Sequence, residues 1–259
     1  MTVDAPPIWL QAGFWGLVAG SALVIGAALA YLVRWPARVI SGIMAFGAGV
    51  LISALSFDLM DEALASGGFL HTAGGFLTGG AIYTGANIWL NARGARHRKR
   101  AGMQQAAESE KHGEDNAGQA IALGALLDGA PEAVVIGVSL LGGAGVSLTA
   151  VAAVFLSNVP EGLASVAGMR KAGRSPVYVF GVWGAIALAS GIAAALGALL
   201  LQDASAGSKA FVNGLAAGAI LAMLADTMIP EAFAHAHDYA GLITVVGFLA
   251  AFALSKLGD

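Results

Sequence analysis

The chain has 259 residues, of which 58% are hydrophobic and only 11% charged, against about 25% charged in soluble domains, so an ordinary soluble fold is excluded. A formal net charge of −3, with the charges gathered in short stretches, leaves no footprint for nucleic acid and makes the lipid bilayer the expected partner. Cysteine is absent, which removes disulfides and thiolate metal sites; any metal must be held by oxygen or imidazole.

A bilayer core about 30 Å thick takes roughly 20 apolar residues per helix. Runs of that kind lie near 9–33, 39–61, 69–92, 119–141, 146–169, 175–201, 209–231 and 240–257. They predict an all-α membrane protein with eight transmembrane helices in one domain, 1–259. The second run ends in SFDLMDEAL at 56–64, and the third holds Gly74, Gly75, Gly79, Gly80 and Gly85. The Gly75/Gly79 pair has the spacing that permits close helix approach, so this stripe reads as packing.

Between the third and fourth runs lies the longest polar stretch, 93–118, with RHRKR at 96–100 and ESEKHGED at 108–115, expected to be a flexible cytoplasmic loop. Lys and Arg are retained on the cytoplasmic side of short loops. With both termini outside, Arg34, Arg38, Arg93, Arg96, Arg98, Lys99, Arg100, Lys111, Arg170, Lys171 and Arg174 fall inside, and only Lys209 and Lys256 outside. This bias supports the span count and a multi-pass protein of the cytoplasmic membrane.

The fourth and fifth runs carry DGAPEA at 128–133 and SNVPEG at 157–162. Asp128 and Glu132 are spaced i,i+4, as are Ser157 and Glu161, with Asn158 and Glu161 at i,i+3, so each set projects from one helix face. Both sets fall near mid-membrane, where an Asp costs about 2.5–3.5 kcal/mol on insertion scales and marks an ion pathway or proton relay. Pro131 and Pro160 free the carbonyls of Leu127 and Leu156, and locally unwound backbone there would add oxygen ligands. In the seventh run, ADTMIPEAF at 225–233 echoes SFDLMDEAL, which suits helices 1–3 and 6–8 forming an inverted repeat around helices 4 and 5.

Apart from Lys209 and Lys256 at the outer ends of their runs, no Lys or Arg lies within the spans to neutralise Asp58, Asp61, Glu62, Asp128, Glu132, Glu161, Asp226 and Glu231, so protons or bound cations are expected to supply the positive charge. Asp58 and Asp226 lie about one turn inside their helices and suit a pathway role. Asp61, Glu62 and Glu231 fit equally a gate or a solvated helix end. His235 and His237 sit in HAHD at 235–238, at a spacing open to either a loop chelate or solvation. An enzyme is not expected: Ser157 has no His or Lys near it in sequence to act as base.

Over essentially its whole length the chain resembles the ZIP (Zrt/Irt-like) family of metal transporters. SNVPEGLASVAG at 157–168 and DGAPEAVVIGVSL at 128–140 carry the resemblance most specifically, joined by FGAGVLISALSFDLMDEA at 46–63 and DTMIPEA at 226–232. The resemblance implies eight helices in a 3+2+3 arrangement, a variable loop after helix 3, and metal ligation by Glu132, Asn158 and Glu161, with Asp128 and Ser157 in the positions beside them. Family motifs begin with histidine where this chain has Asp128 and Ser157, and the resulting all-oxygen set also suits harder ions than zinc. The expected function is uptake of divalent cations into the cytosol by alternating access, with zinc as the leading cargo and Mn, Fe, Cd and Co open. No prosthetic group is expected, and small-residue faces are compatible with a homodimer. The alternatives are a transport-inactive metal sensor or a proton-coupled carrier of another cation.

Overall fold

The computed structural model describes residues 6–99, 107, 114–142 and 147–258, and among these there is no strand. The α-helices with both ends among the described residues are, in order, α1 (Ile8–Leu32), α2 (Ala37–Ala54), α3 (Asp61–Leu90), α4 (Glu114–Ser139), α5 (Leu148–Lys171), α6 (Pro176–Leu201), α7 (Ala206–Met223), α8 (Ile229–Ala236) and α9 (Ala240–Gly258). Ser147, Ser175 and Ser205 cap α5, α6 and α7, each side-chain oxygen accepting from the backbone N–H three residues on, and Pro176 follows its cap at the first helical position.

Among the described residues, six helical stretches are long and apolar enough to cross a membrane: Ile8–Leu32, Ala37–Ala95, Gln119–Ser139, Ala150–Lys171, Pro176–Leu201 and Ala206–Lys256. Two of these, at 59 and 51 residues, far exceed what a bilayer core needs at about 1.5 Å per residue. Each is interrupted by a backbone break. Gly68 has φ 75° inside α3, a left-handed conformation that glycine adopts without penalty, and His237 has φ 41° between α8 and α9.

Two wider turns interrupt the α-helical ladder. Leu55–Met60 joins α2 to α3 and Leu224–Met228 joins α7 to α8 as π-helix, and each carries an acidic residue, Asp58 and Asp226. These are the segments whose sequences echo one another.

Small residues bring the helices together. A side chain at Gly79 would run into the Leu215 carbonyl and one at Gly218 into the Phe76 carbonyl, so α3 and α7 touch backbone to backbone. Gly49 and Gly247 do the same between α2 and α9, Gly26 and Gly162 between α1 and α5, and Gly16 between α1 and α6. The reading of the third run's glycines as packing agrees with this geometry at Gly75 and Gly79; Gly85 has open space beside it.

The expected loop over 93–118 differs in its first part. A third π-turn, Asn91–Ala95, extends α3, Gly94 turns the chain with φ 103°, and residues 96–99 fold back against the bundle. Arg100, Lys111 and His112 lie outside the described residues, and α4 begins at Glu114, earlier than the run at 119 predicted.

Candidate functional site

The centre of the bundle is where α4 and α5 present their acidic faces. Asp128, Glu132 and Glu161 are 0%, 1% and 3% exposed, and Ser157 and Asn158 are buried beside them. Both helices run through their prolines, so the unwound backbone expected at Pro131 and Pro160 is not present; packing of neighbouring helices holds the helical path.

The positive charge that the spans lack comes from the loop. Arg98 and Lys99, two of the basic residues in the expected loop, are 2% and 3% exposed, and their pairing corrects the expectation that protons or bound cations alone supply the positive charge to these carboxylates. Arg98 grips Asp128 with two parallel bonds, Nε donating to Oδ2 and Nη2 to Oδ1, both at 2.8 Å. The Tyr83 hydroxyl donates to the same Oδ1 at 2.6 Å and accepts from Arg98 Nη2 at 2.9 Å. Lys99 Nζ stands 3.3 Å from Asp128 Oδ2 and 2.9 Å from Glu161 Oε1, bridging α4 to α5. A charge buried this deeply costs several kcal/mol unless paired, which is the physical reason the segment is drawn inward.

Several contacts shape the pocket for this segment. Ser165 Oγ donates to the Arg98 carbonyl at 2.7 Å, tying the backbone to α5. Gly124, one turn before Asp128, leaves the room that Arg98 fills: a Cβ there would come within 2.5 Å of Arg98 Cδ and 2.8 Å of Nε. Arg98 Nη1 donates to Asn87 Oδ1 at 2.9 Å, and Asn87 Nδ2 donates to Asp226 Oδ2 at 3.0 Å, so the network runs from the core to the π-turn after α7.

Glu132 stands apart from this pairing. Its two carboxylate oxygens are buried without a hydrogen-bond partner. Beside it a void of about 10 Å³, room for about one water, is lined by Leu51, Leu55, Leu59, Val135, Val154 and Ile220. Ser157 Oγ donates to the Val154 carbonyl at 2.9 Å and Asn158 Nδ2 to the Ala19 carbonyl at 3.2 Å.

The pathway residues are dispersed. Asp58 accepts from Ser255 Oγ at 2.9 Å, while Asp61 and Glu62 are exposed at the start of α3. Asp226 joins the central network through Asn87; Glu231 is buried, and its carbonyl accepts from Ser41 Oγ at 2.9 Å. His235 is half-buried on α8 and His237 is exposed at the break.

Among the described residues, no three His, Cys, Asp or Glu side chains are gathered into a ready metal cage. The donors that would form one are divided: Asp128 and Glu161 face the loop cations, and Glu132 faces the void. Chemically, the carboxylates of α4 and α5 are an oxygen-donor set for a hard or borderline cation, on the condition that Arg98 and Lys99 yield their places. Sequence reasoning missed Arg98, Lys99, Tyr83 and Asn87. The available signal was charge balance: eight acidic residues in or at the ends of apolar runs require partners, and RHRKR directly follows one of those runs. The chain matches no protein-family model and no curated protein.

Proposed function

We propose that this chain is a ZIP-like carrier that moves divalent cations across the cytoplasmic membrane into the cytosol, with zinc as the leading cargo and Mn, Fe, Cd and Co open. The observation that carries the reading is Glu132, a fully buried carboxylate with no hydrogen-bond partner, next to two further buried carboxylates on α4 and α5. A buried carboxyl group is costly to leave without partners, and one left so is suited to receive a cation. Glu132, Glu161, Asp128 and Asn158 would supply the oxygen donors, with Ser157 beside them.

The arrangement of helices supports an eight-span, 3+2+3 reading with both termini outside. The breaks at Gly68 and His237 divide the two longest helical stretches where the predicted second and third, and seventh and eighth, spans meet. The second span packs on the eighth through Gly49 and Gly247, and the third on the seventh through Gly79 and Gly218. Exchanging helices 1–3 with 6–8 maps one pair onto the other, as an inverted repeat requires, and the π-turns at Asp58 and Asp226 fall in corresponding positions. Cargo would pass from Asp58, Asp61 and Glu62 to the central carboxylates and leave by Asp226, Glu231, His235 and His237.

The test is initial uptake of Zn²⁺, Cd²⁺, Mn²⁺, Fe²⁺, Co²⁺ and Mg²⁺ into proteoliposomes holding the purified full chain. Saturable uptake of a subset, reduced to the level of empty vesicles by Glu161→Ala, is the expected outcome. Folded protein that passes none of these ions would sink the carrier reading. A sensor reading is favoured by one observation, the occupation of Asp128 and Glu161 by tethered cations, and it would then take precedence.

A further inference from the structure

The predicted cargo site and the loop cations compete for the same atoms. Both oxygens of Asp128 and one of Glu161 are taken by Arg98 and Lys99, so a metal ion cannot bind these oxygens while the two side chains remain. We propose that Arg98 and Lys99 are tethered counter-cations: they fill the carboxylate site when cargo is absent and swing out when one divalent ion enters, so that loading exchanges two single charges for one double charge. The proposal rests on the reading of these carboxylates as a divalent-cation site.

Four features of the segment suit this role. It is joined to α3 through the left-handed turn at Gly94, a conformation that a side chain would strain. From Gly94 to Lys99 five residues reach about 17 Å when extended, enough to withdraw both cations from the core without disturbing α3. The charge exchange leaves the site no more negative after cargo leaves than before it came. An unloaded carrier must return through the low-dielectric core, and bare carboxylates would make that step costly. Finally, the pocket is built for the guanidinium: Gly124 leaves space for it, Asn87 and Tyr83 complete its hydrogen bonds, and Ser165 holds the Arg98 carbonyl. Buried ion pairs are a poor means of stabilising a fold but a good means of selecting between two arrangements.

The first experiment uses the unaltered full chain in nanodiscs. Amide exchange is followed over residues 93–99 without metal and with saturating Zn²⁺ or Mn²⁺, alongside calorimetry of the same ions. Metal should accelerate exchange of this segment about tenfold or more, as expected for a locally opened unit. Bound metal with unchanged exchange at 93–99 would overturn the tethered-cation proposal and leave the cargo reading standing. If the calorimeter shows no binding of either ion, the cargo reading fails and the proposal with it. The second experiment weakens the plug in two ways, by Lys99→Gln and by Gly124→Ala, which crowds Arg98 without deleting a charge. Both should tighten metal binding by about tenfold, the usual size of coupling between exclusive ligands. Unchanged or weaker binding in both variants, in protein that retains its helical content, would assign Arg98 and Lys99 a structural role instead.

Discussion

Glu132 is buried among aliphatic side chains with neither carboxylate oxygen bonded, so the native protein carries a local instability at this position. Replacing it by Gln removes the ionisable group while keeping its shape and one carbonyl oxygen. Glu132→Gln should raise the thermal midpoint by about 2–4 °C, the shift expected for roughly 1 kcal/mol in a chain of this size. The same variant should lose metal uptake. A lower midpoint, measured by fluorescence-detected unfolding in detergent, would mean that the carboxylate has a stabilising partner after all. Asp128 is the opposite case, since Arg98 and Tyr83 satisfy it and its removal strands a buried guanidinium. The contrast separates two acidic residues that sequence spacing alone treats as equals. Periodicity indicated that Asp128 and Glu132 share a helix face, but which of them is paired depends on a segment 30 residues earlier, about which i,i+4 spacing says nothing.

At the level of helices, the contacts between α3 and α7 are made by glycine against backbone. Gly79→Ala forces a methyl group into the Leu215 carbonyl, and overpacking of this kind costs about 1–3 kcal/mol. The expected readout is a lower thermal midpoint and a weakened α3–α7 association, whereas Gly85→Ala, facing open space, should leave the midpoint unchanged or raised. Apolar runs and the Gly75/Gly79 spacing made these helices and this contact legible in advance. The π-turns at Leu55–Met60, Asn91–Ala95 and Leu224–Met228 were not legible, because one extra residue in a turn alters no apolar pattern in a helix that is apolar on all sides.

For the whole molecule, the absence of cysteine makes topology directly measurable by single introduced thiols. Lys209→Cys should be labelled by an impermeant maleimide added outside intact cells, and Arg174→Cys only after the membrane is opened. Labelling of both from outside would overturn the proposed orientation and with it the direction of transport. Composition and the distribution of basic residues indicated a multi-pass helical chain, and the described residues agree with that much. The charge distribution also misled in one respect. Counting Arg98 and Lys99 among loop charges treats them as solvated, yet both fold into the core, since acidic residues buried by helix packing attract the nearest cations on a chain long enough to reach them.

The π-turns at Asp58 and Asp226 also set a rotational phase. Each inserts one residue beyond the α-helical count, and one residue corresponds to about 100° of rotation about the helix axis. The stripe by which α2 meets α9 is therefore offset from the face that the chain presents once it enters α3, and likewise for α7 and α8. Deleting one residue from either turn would restore a regular helix and swing everything beyond it by more than a quarter of a revolution. Which side chains Asp58 and Asp226 meet therefore depends on these turns.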